Sequence, residues 1–448
     1  MKIDRNIDER ALRVSLERAF NFGLAQLERM HDKWPSNKPA PIFTENGFWT
    51  RPEYVWTDWC PGFYAGMMWL AFENTGDDKW RAAAEEYTRA LEPRKFDRDV
   101  HDLGFIFMST ADRWYRLLPD GDPLERWLRD ILVTAGTVQS FRWKDTGEDH
   151  YIYSFHGPQS LFIDVMMNIR LLFRAHELGG SAELYRKAAA HARTTERRLV
   201  RRAGSRIMDH DGLVIHEAIF NPVSGEFRNL STQQGYSPYT CWARGLAWAM
   251  YGFTDAYSYT RDRFFLETAE RCAAYYLSNT PDGGAPFWDY GAPNIPSEPV
   301  DSSAAAIAAC AFWKLKNIDG LRVDSSNYRN ASLIILSTLA GEDFLGAHDP
   351  AYEGILRHGV YHRPMNWGVD ESVMWGDYFF MEALQMALTE KKQSTDSAEQ
   401  HTDRLEKREC AKSDRYSLSS KRRAGSREIG CSLCGGARGG SYFSSDPC

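Results

Sequence analysis

Apolar side chains recur at helical spacing through most of the first 390 residues, interrupted by short Gly, Pro and Asp turns. The spacing predicts helices over 7–31, 61–75, 78–92, 102–118, 124–140, 159–178, 181–201, 241–258, 262–279, 301–316, 326–340 and 370–389. Strand-like patterning is scarce. Its best instance runs from Leu213 to Phe220 and from Gly225 to Phe227, which together read as a β-hairpin. The helices come in pairs, and several second members are apolar almost all round, as from Ser302 to Ala309. A helix with no polar face belongs to an inner layer. Inner and outer helices alternating in six pairs close into a toroid; an open helical solenoid is the competing arrangement. Disparity between the pairs and long loops at 40–60, 141–158, 202–240 and 280–300 favour closure around a central cavity. The fold class expected is all-α, an (α/α)6 barrel with a minor β-hairpin.

Composition changes this picture at one place. From Lys391 onward there is no Trp, and Ser, Gly, Lys and Arg dominate, so residues 1–390 read as the helical domain and 391–448 as a disordered tail. The tail holds 12 Lys and Arg against 8 Asp and Glu, which leaves the body with 42 against 53. An acidic body gives no electrostatic footprint for nucleic acid. No apolar run is long enough to span a membrane, and the charged N-terminus Met1 to Glu9 does not resemble a secretory signal. Cys60, Cys241, Cys272 and Cys310 stand singly among apolar residues and read as reduced core thiols. These features point to the cytoplasm. Cys431 and Cys434 are spaced as half of a zinc site, but no partner pair stands at zinc-ribbon spacing, so no metal is expected there.

The chain has 15 Trp, all of them in the body, within an aromatic content of 13%, enough to fill a large core and also to line a cleft for flat ligands such as sugar rings. Trp56 to Tyr64 places aromatics at a helix mouth, where a hydrophobic staple explains them as well as sugar stacking does. His101-Asp102-Leu103-Gly104-Phe105 opens a helix, where Asp is ordinarily an N-cap. Asp164 lies in the apolar run from Leu161 to Ile169. A buried carboxyl in such a setting is either paired or held protonated as a proton donor near neutral pH. His216, Gln233-Gln234-Gly235 and Trp242-Ala243-Arg244-Gly245 with Trp248 form a further cluster. Arg244 and Trp248 share a helix face, an arrangement suited to a sugar carboxylate or to a structural cation–π pair. Asp301 and Asp377, each near an aromatic, read as helix caps, and His362 stands isolated. No phosphate loop, His-Glu-x-x-His or Gly-x-Ser-x-Gly is present.

In these motifs, taken in order, residues 10 to 389 resemble the unsaturated glucuronyl hydrolases, glycoside hydrolase family 88. The most specific pieces are His101 to Phe105, Ile163 to Asn168, Trp242 to Gly245 with Trp248, Asp301 to Ala304, and Trp375 to Tyr378. The resemblance implies an (α/α)6 barrel with neither metal nor organic cofactor. It implies release of a 4,5-unsaturated uronic acid from the non-reducing end of oligosaccharides left by a polysaccharide lyase. By the family's pattern Asp164 is the general acid and base and Asp102 the second essential acid. His101, His216, Gln234, Arg244 and Trp248 line the sugar subsite, and Trp59 stacks from the entrance.

Two points depart from the pattern. The aromatic expected in the loop before Asp164 could be Phe141 or Trp143. The stretch from His362 to Val369 lacks the Ser and Lys that sulfate-accepting members carry. The related unsaturated rhamnogalacturonyl hydrolases share the fold but usually lack an acid at the position of Asp102. A catalytically silent sugar-binding scaffold and an epimerase using His101 and His216 are the readings from other classes. The chemistry implied is hydration of the C4=C5 bond, in contrast to two-carboxylate displacement at C1. The change in composition at Lys391 generates a test. A chain ending at residue 390 should keep the activity and melting temperature of the full chain, measured side by side; a large fall in melting temperature would show that the tail packs on the body.

Overall fold

The structure, a computed structural model, describes residues 1–4, 7–53, 57–204 and 210–390. Trp56 and the segment 391–448, read above as a disordered tail, lie outside the described residues. Helices α1 (Glu9–Lys33), α3 (Asp78–Leu91), α6 (Leu124–Ser140), α9 (Ala182–Leu199), α11 (Arg263–Asn279) and α13 (Ser325–Leu339) form the outer layer. Each is amphipathic: α3, for instance, buries Trp80, Ala83, Ala84, Tyr87 and Thr88 along one face. Five of these outer helices start at a side chain that accepts a hydrogen bond from the first turn: Asp8, Asp77, Ser181, Asp262 and Asp324.

Between them run the inner elements α2 (Pro61–Thr75), α4 (Leu103–Met108) with α5 (Ala111–Leu117), α7 (Val165–Asn168) with α8 (Arg170–Glu177), α10 (Ala243–Thr260), α12 (Ser302–Leu315) and α14 (374–390). α12 is buried at every position from Ser302 to Trp313, as its sequence required. The inner elements pack side by side into a closed ring. A Cβ added at Gly62 of α2 would lie 2.5 Å from the Ile106 Cα of α4, and one at Gly252 of α10 would lie 2.7 Å from the Met166 Cβ of α7. Only glycine permits these approaches. The Cys310 thiol of α12 meets the Phe379 carbonyl of α14, and Phe63 of α2 packs on Tyr378 and Phe379, so the last helix joins the ring to its first member. At one end the lumen holds a buried ionic network: Arg113 with Glu73 and Glu382, and Arg170 and Lys314 with Asp255.

Three predicted helices are revised. The one predicted over 102–118 breaks between α4 and α5, where the Ser109 and Thr110 hydroxyls donate to the Phe105 and Ile106 carbonyls, each at 2.6 Å. The start of 159–178 is a strand, β5 (Ser160–Phe162). It pairs with β6 (Glu217–Phe220), which pairs in turn with β7 (Phe227–Ser231). A short apolar run fits a buried strand as well as a helix, and pairing with β6 decides the case. The start of 370–389 belongs to β9 (Trp367–Glu371), antiparallel to β8 (Gly359–His362). The predicted hairpin exists as β6–β7 and gains β5. Two further hairpins, β1 (Phe43–Glu45) with β2 (Phe48–Thr50) and β3 (Trp143–Asp145) with β4 (His150–Ile152), occupy long loops that precede inner helices. Cys60, Cys241, Cys272 and Cys310 are buried and unpaired. Among the described residues no helix is long and apolar enough to cross a membrane.

The close contact at Gly252 is testable. Gly252→Ala places a methyl group within 2.9 Å of the Met166 backbone. The variant should lose about 1–3 kcal/mol of stability, read as a lower denaturant midpoint.

Candidate active site

The candidate residues gather where the inner helices begin. Trp59 precedes the N-cap of α2. Asp102 and Asp164 occupy the N-cap positions of α4 and α7, and Arg244 lies in the first turn of α10 behind its N-cap, Trp242. None of the N-cap residues Cys60, Asp102, Asp164 and Trp242 bonds its own helix through its side chain. The positive ends of several helix dipoles therefore meet at one rim, which favours negative charge there. Trp59, His101, Asp102, Asp164, Gln234, Arg244 and Trp248, all singled out in the sequence, line one narrow cleft.

The acids meet across His101. Its Nδ1 accepts from the Phe155 N–H at 3.0 Å, which leaves the hydrogen on Nε2. Nε2 lies 3.3 Å from Asp102 Oδ1 and 3.3 Å from Asp164 Oδ2. Burial opposes charge on this imidazole, but the two carboxylates outweigh it and raise its pKa. Burial pushes Asp102 up to about 6, against the opposing pull of His101; Asp164 adds to the rise, and Arg142 and Asn168 moderate it. Asp164 behaves otherwise than its apolar neighbours suggested. Burial alone would raise it, but the hydrogen bond and charge of His101, with His216 close by, hold it below the ordinary carboxylate value. The expectation that Asp164 is the carboxyl kept protonated by its surroundings is thus corrected. Leu161, Phe162 and Ile163 bury their own side chains, whereas the Asp164 carboxyl turns to His101.

His216 is held by the loop after β7. Its Nδ1 lies 3.1 Å from the Gln233 N–H and 3.2 Å from that of Gln234, and its ring packs between Phe162 and Trp242. Burial lowers its pKa to about 4, so it is neutral, with the hydrogen on Nε2. Both His216 Nε2 and Asp164 Oδ1 are buried without a hydrogen-bond partner. Arg244 is fully buried. It donates to Asp301 Oδ2 at 3.2 Å, to Gln234 Oε1 at 2.5 Å, to the Tyr361 carbonyl at 2.7 Å and to the Val360 carbonyl. The indoles nearest its guanidinium are Trp242 and Trp375, at 4.3 and 5.0 Å, in place of the Trp248 that helical spacing suggested. Trp248 packs on Phe105 and Phe379 at the cleft floor, and Trp59 lies against Trp375 with centroids 4.6 Å apart.

Asp301 caps α12 as expected, accepting from Ser303 N–H. Asp377 does not cap its own helix; it accepts from the Ile355 and Leu356 N–H groups and the Ser372 hydroxyl. Neither Phe141 nor Trp143 lines the cleft. Phe141 is largely exposed beside Arg98, and Trp143 stacks on His150 in β3. The aromatic in that place is Phe155, parallel to His101 at 5.8 Å. Its sequence neighbourhood carries no signal, because only folding of β3–β4 brings it round. Tyr361, Phe162 and Gln233 also line the cleft and were not singled out as site residues. His362 is not isolated: it accepts from Met365 N–H, and burial lowers its pKa to about 4, helped by the charge of Arg244 and by His216.

His101, Asp102 and Asp164 offer ligand atoms within 4.8 Å of one another, a spacing that could suit a cation. The donor set does not. With Nδ1 engaged by Phe155 N–H, the nitrogen facing the carboxylates carries a hydrogen and has no lone pair to give. The cluster is built to share protons.

The family model described as Glycosyl Hydrolase Family 88 matches residues 26–282. An unsaturated glucuronyl hydrolase of Formosa agariphila is 32% identical over 334 residues, covering 73% of this chain and 79% of its own length. An unsaturated chondroitin disaccharide hydrolase of Streptococcus pneumoniae is 30% identical over 373 residues, covering 81% and 89%. Among solved structures, an unsaturated glucuronyl hydrolase specific for heparin superposes with TM-score 0.74 at 27% identity, over 84% of this chain and 98% of that one. The unsaturated glucuronyl hydrolase of Bacillus sp. GL1 superposes with TM-score 0.73 at 29% identity, over 82% and 96%.

The raised pKa of Asp102 has a consequence for stability. Below the unfolded-state value both states hold the proton and there is no contribution. As pH rises towards 6 the unfolded chain releases it first, so the buried carboxyl becomes a cost, complete above about 6. Asp102→Asn should therefore melt higher than wild type at pH 7 to 8, with the gap closing towards pH 4 in melting curves taken across that range.

Proposed function

The chain belongs to glycosyl hydrolase family 88, a glycoside hydrolase acting on unsaturated uronic-acid oligosaccharides, and from that premise we propose that the Asp102–His101–Asp164 cluster catalyses hydration of the substrate's C4=C5 bond. The (α/α)6 barrel supplies the frame and residues 1–390 the catalytic body. One observation carries the reading: two carboxylates, Asp102 buried and Asp164 half-buried, joined through a single imidazole in an aromatic cleft.

Carboxyls this close titrate as a unit, and Asp102, pushed up to about 6 by burial, is the group that supplies the cluster's proton, passed through His101 to Asp164. Asp164 Oδ1, free of other bonds, delivers that proton to C4 and then takes one from the water adding at C5. The resulting hemiketal opens the ring and releases the next sugar. Asp102, ionised once the proton has moved, stabilises the positive charge that develops at C5. Gln234, Arg244 and the positive ends of the helix dipoles receive the substrate carboxylate. Trp59 and Trp248 provide apolar faces for the ring, and His101 and His216 provide N–H donors. Four reduced cysteines in the core suit a reducing compartment, and a cytoplasmic site of action is part of the proposal.

The test uses an unsaturated disaccharide. Wild type should bleach the absorbance of the conjugated alkene. In heavy water deuterium should appear at C4, and in oxygen-18 water the label should appear at the C5 ketone. Asp164→Asn should bind substrate but lose nearly all turnover, since an amide cannot shuttle the proton. Label at C1 with no deuterium at C4 would return the enzyme to two-carboxylate displacement at the anomeric carbon.

A further inference from the structure

Asp102 stands at the N-cap of α4, yet its carboxylate makes no capping bond. The N–H it would ordinarily take, that of Phe105 in the third helical position, is bound at 2.9 Å by the side-chain oxygen of Asn168, the last residue of α7. Asn168 is fully buried. Because its oxygen must face that N–H, its amide group is oriented without ambiguity. The amide donates to Asp102 Oδ1 at 3.2 Å and to the Asp164 backbone carbonyl at 3.3 Å. One side chain thus caps α4 on behalf of Asp102, holds the Asp102 carboxylate, and fixes the backbone of Asp164. The close approach is enforced from the other side as well, since a Cβ at Gly104 would lie 2.5 Å from the Asn168 Cα.

We propose that Asn168 is a positioning residue for the reaction: it relieves Asp102 of its capping duty and aims that carboxylate into the cleft. This rests on the functional reading given above. The Asn168 amide then holds Asp102 Oδ1, with His101 Nε2 3.3 Å from the same oxygen, and Oδ2 is the oxygen left to act on substrate. The groups that set the ionisation of Asp102 are His101 beside it, Asp164 from α7, Arg142 after α6, and Asn168 itself. Cys60 before α2 and Tyr361 of β8 also lie within its electrostatic reach. A carboxylate in place of the Asn168 amide adds a like charge at hydrogen-bond distance and makes ionisation of Asp102 harder.

The experiment compares full-length wild type, Asn168→Asp and Asn168→Ala on an unsaturated disaccharide, with kcat and KM taken across pH and folding checked by circular dichroism. Asn168→Asp keeps the volume and the oxygen that caps α4. Its acid limb of kcat should move up by about one pH unit or more, with KM little changed. Asn168→Ala should lose roughly tenfold or more in kcat, the usual worth of a hydrogen bond to a charged group. A purely structural asparagine would lower the folded fraction and leave the pH profile of the remaining activity where it was. Superimposable profiles for wild type and Asn168→Asp would overturn the proposal, and so would failure of the aspartate variant to fold. Wild type that leaves the disaccharide untouched is a different failure, that of the functional reading itself.

Discussion

The N–H groups that begin the inner helices are the constraint around which this molecule is organised. A helix start needs acceptors, and the outer layer supplies them locally through Asp8, Asp77, Ser181, Asp262 and Asp324. The inner layer largely does not. Cys60, Asp102, Asp164 and Trp242 stand at N-cap positions without side-chain capping bonds. Losing a cap costs about 0.5–2 kcal/mol per helix. At α4 the Asn168 side chain supplies the acceptor instead, and at α10 the Trp288 carbonyl does, which leaves both carboxylates free for chemistry at a rim that favours anions.

The imidazoles are fixed by the same backbone currency. His101, His191, His216 and His362 each accept a main-chain N–H at Nδ1, from Phe155, Ile152, Gln233 and Met365 respectively. Their tautomers are therefore set by the fold before any substrate arrives. At His216 this leaves an N–H aimed at nothing in the protein, and at Asp164 an oxygen likewise. Buried polar atoms left unpaired are costly, and where they cluster at a cleft they mark places reserved for a ligand.

How far the sequence was legible follows from which interactions are local. Helix periodicity located the outer helices and α12 because each is specified by its own residues, and Asp301 was recognised as a cap for the same reason. β5 was missed because Leu161 and Phe162 become strand only against Ala218 and Glu217. The site acids were visible as motifs. The charge preference of Asp164 was not, because His101 reaches it across 63 residues of chain. Phe155 and Asn168 escaped for a related reason: nothing in their own neighbourhoods distinguishes a cleft-lining or capping side chain from an ordinary buried one.

Closure of the ring through Phe63, Tyr378 and Phe379 has a consequence for how the chain is made. An open stack of helical pairs can settle pair by pair as it leaves the ribosome. Here the second helix synthesised waits for the last. Until residues 374–390 emerge, α2 lacks a neighbour for an apolar face, and Trp375 has not joined Trp59 at the cleft. Every nascent chain thus passes through a long interval with its future lumen open to solvent and to other chains, the state in which large proteins most readily aggregate.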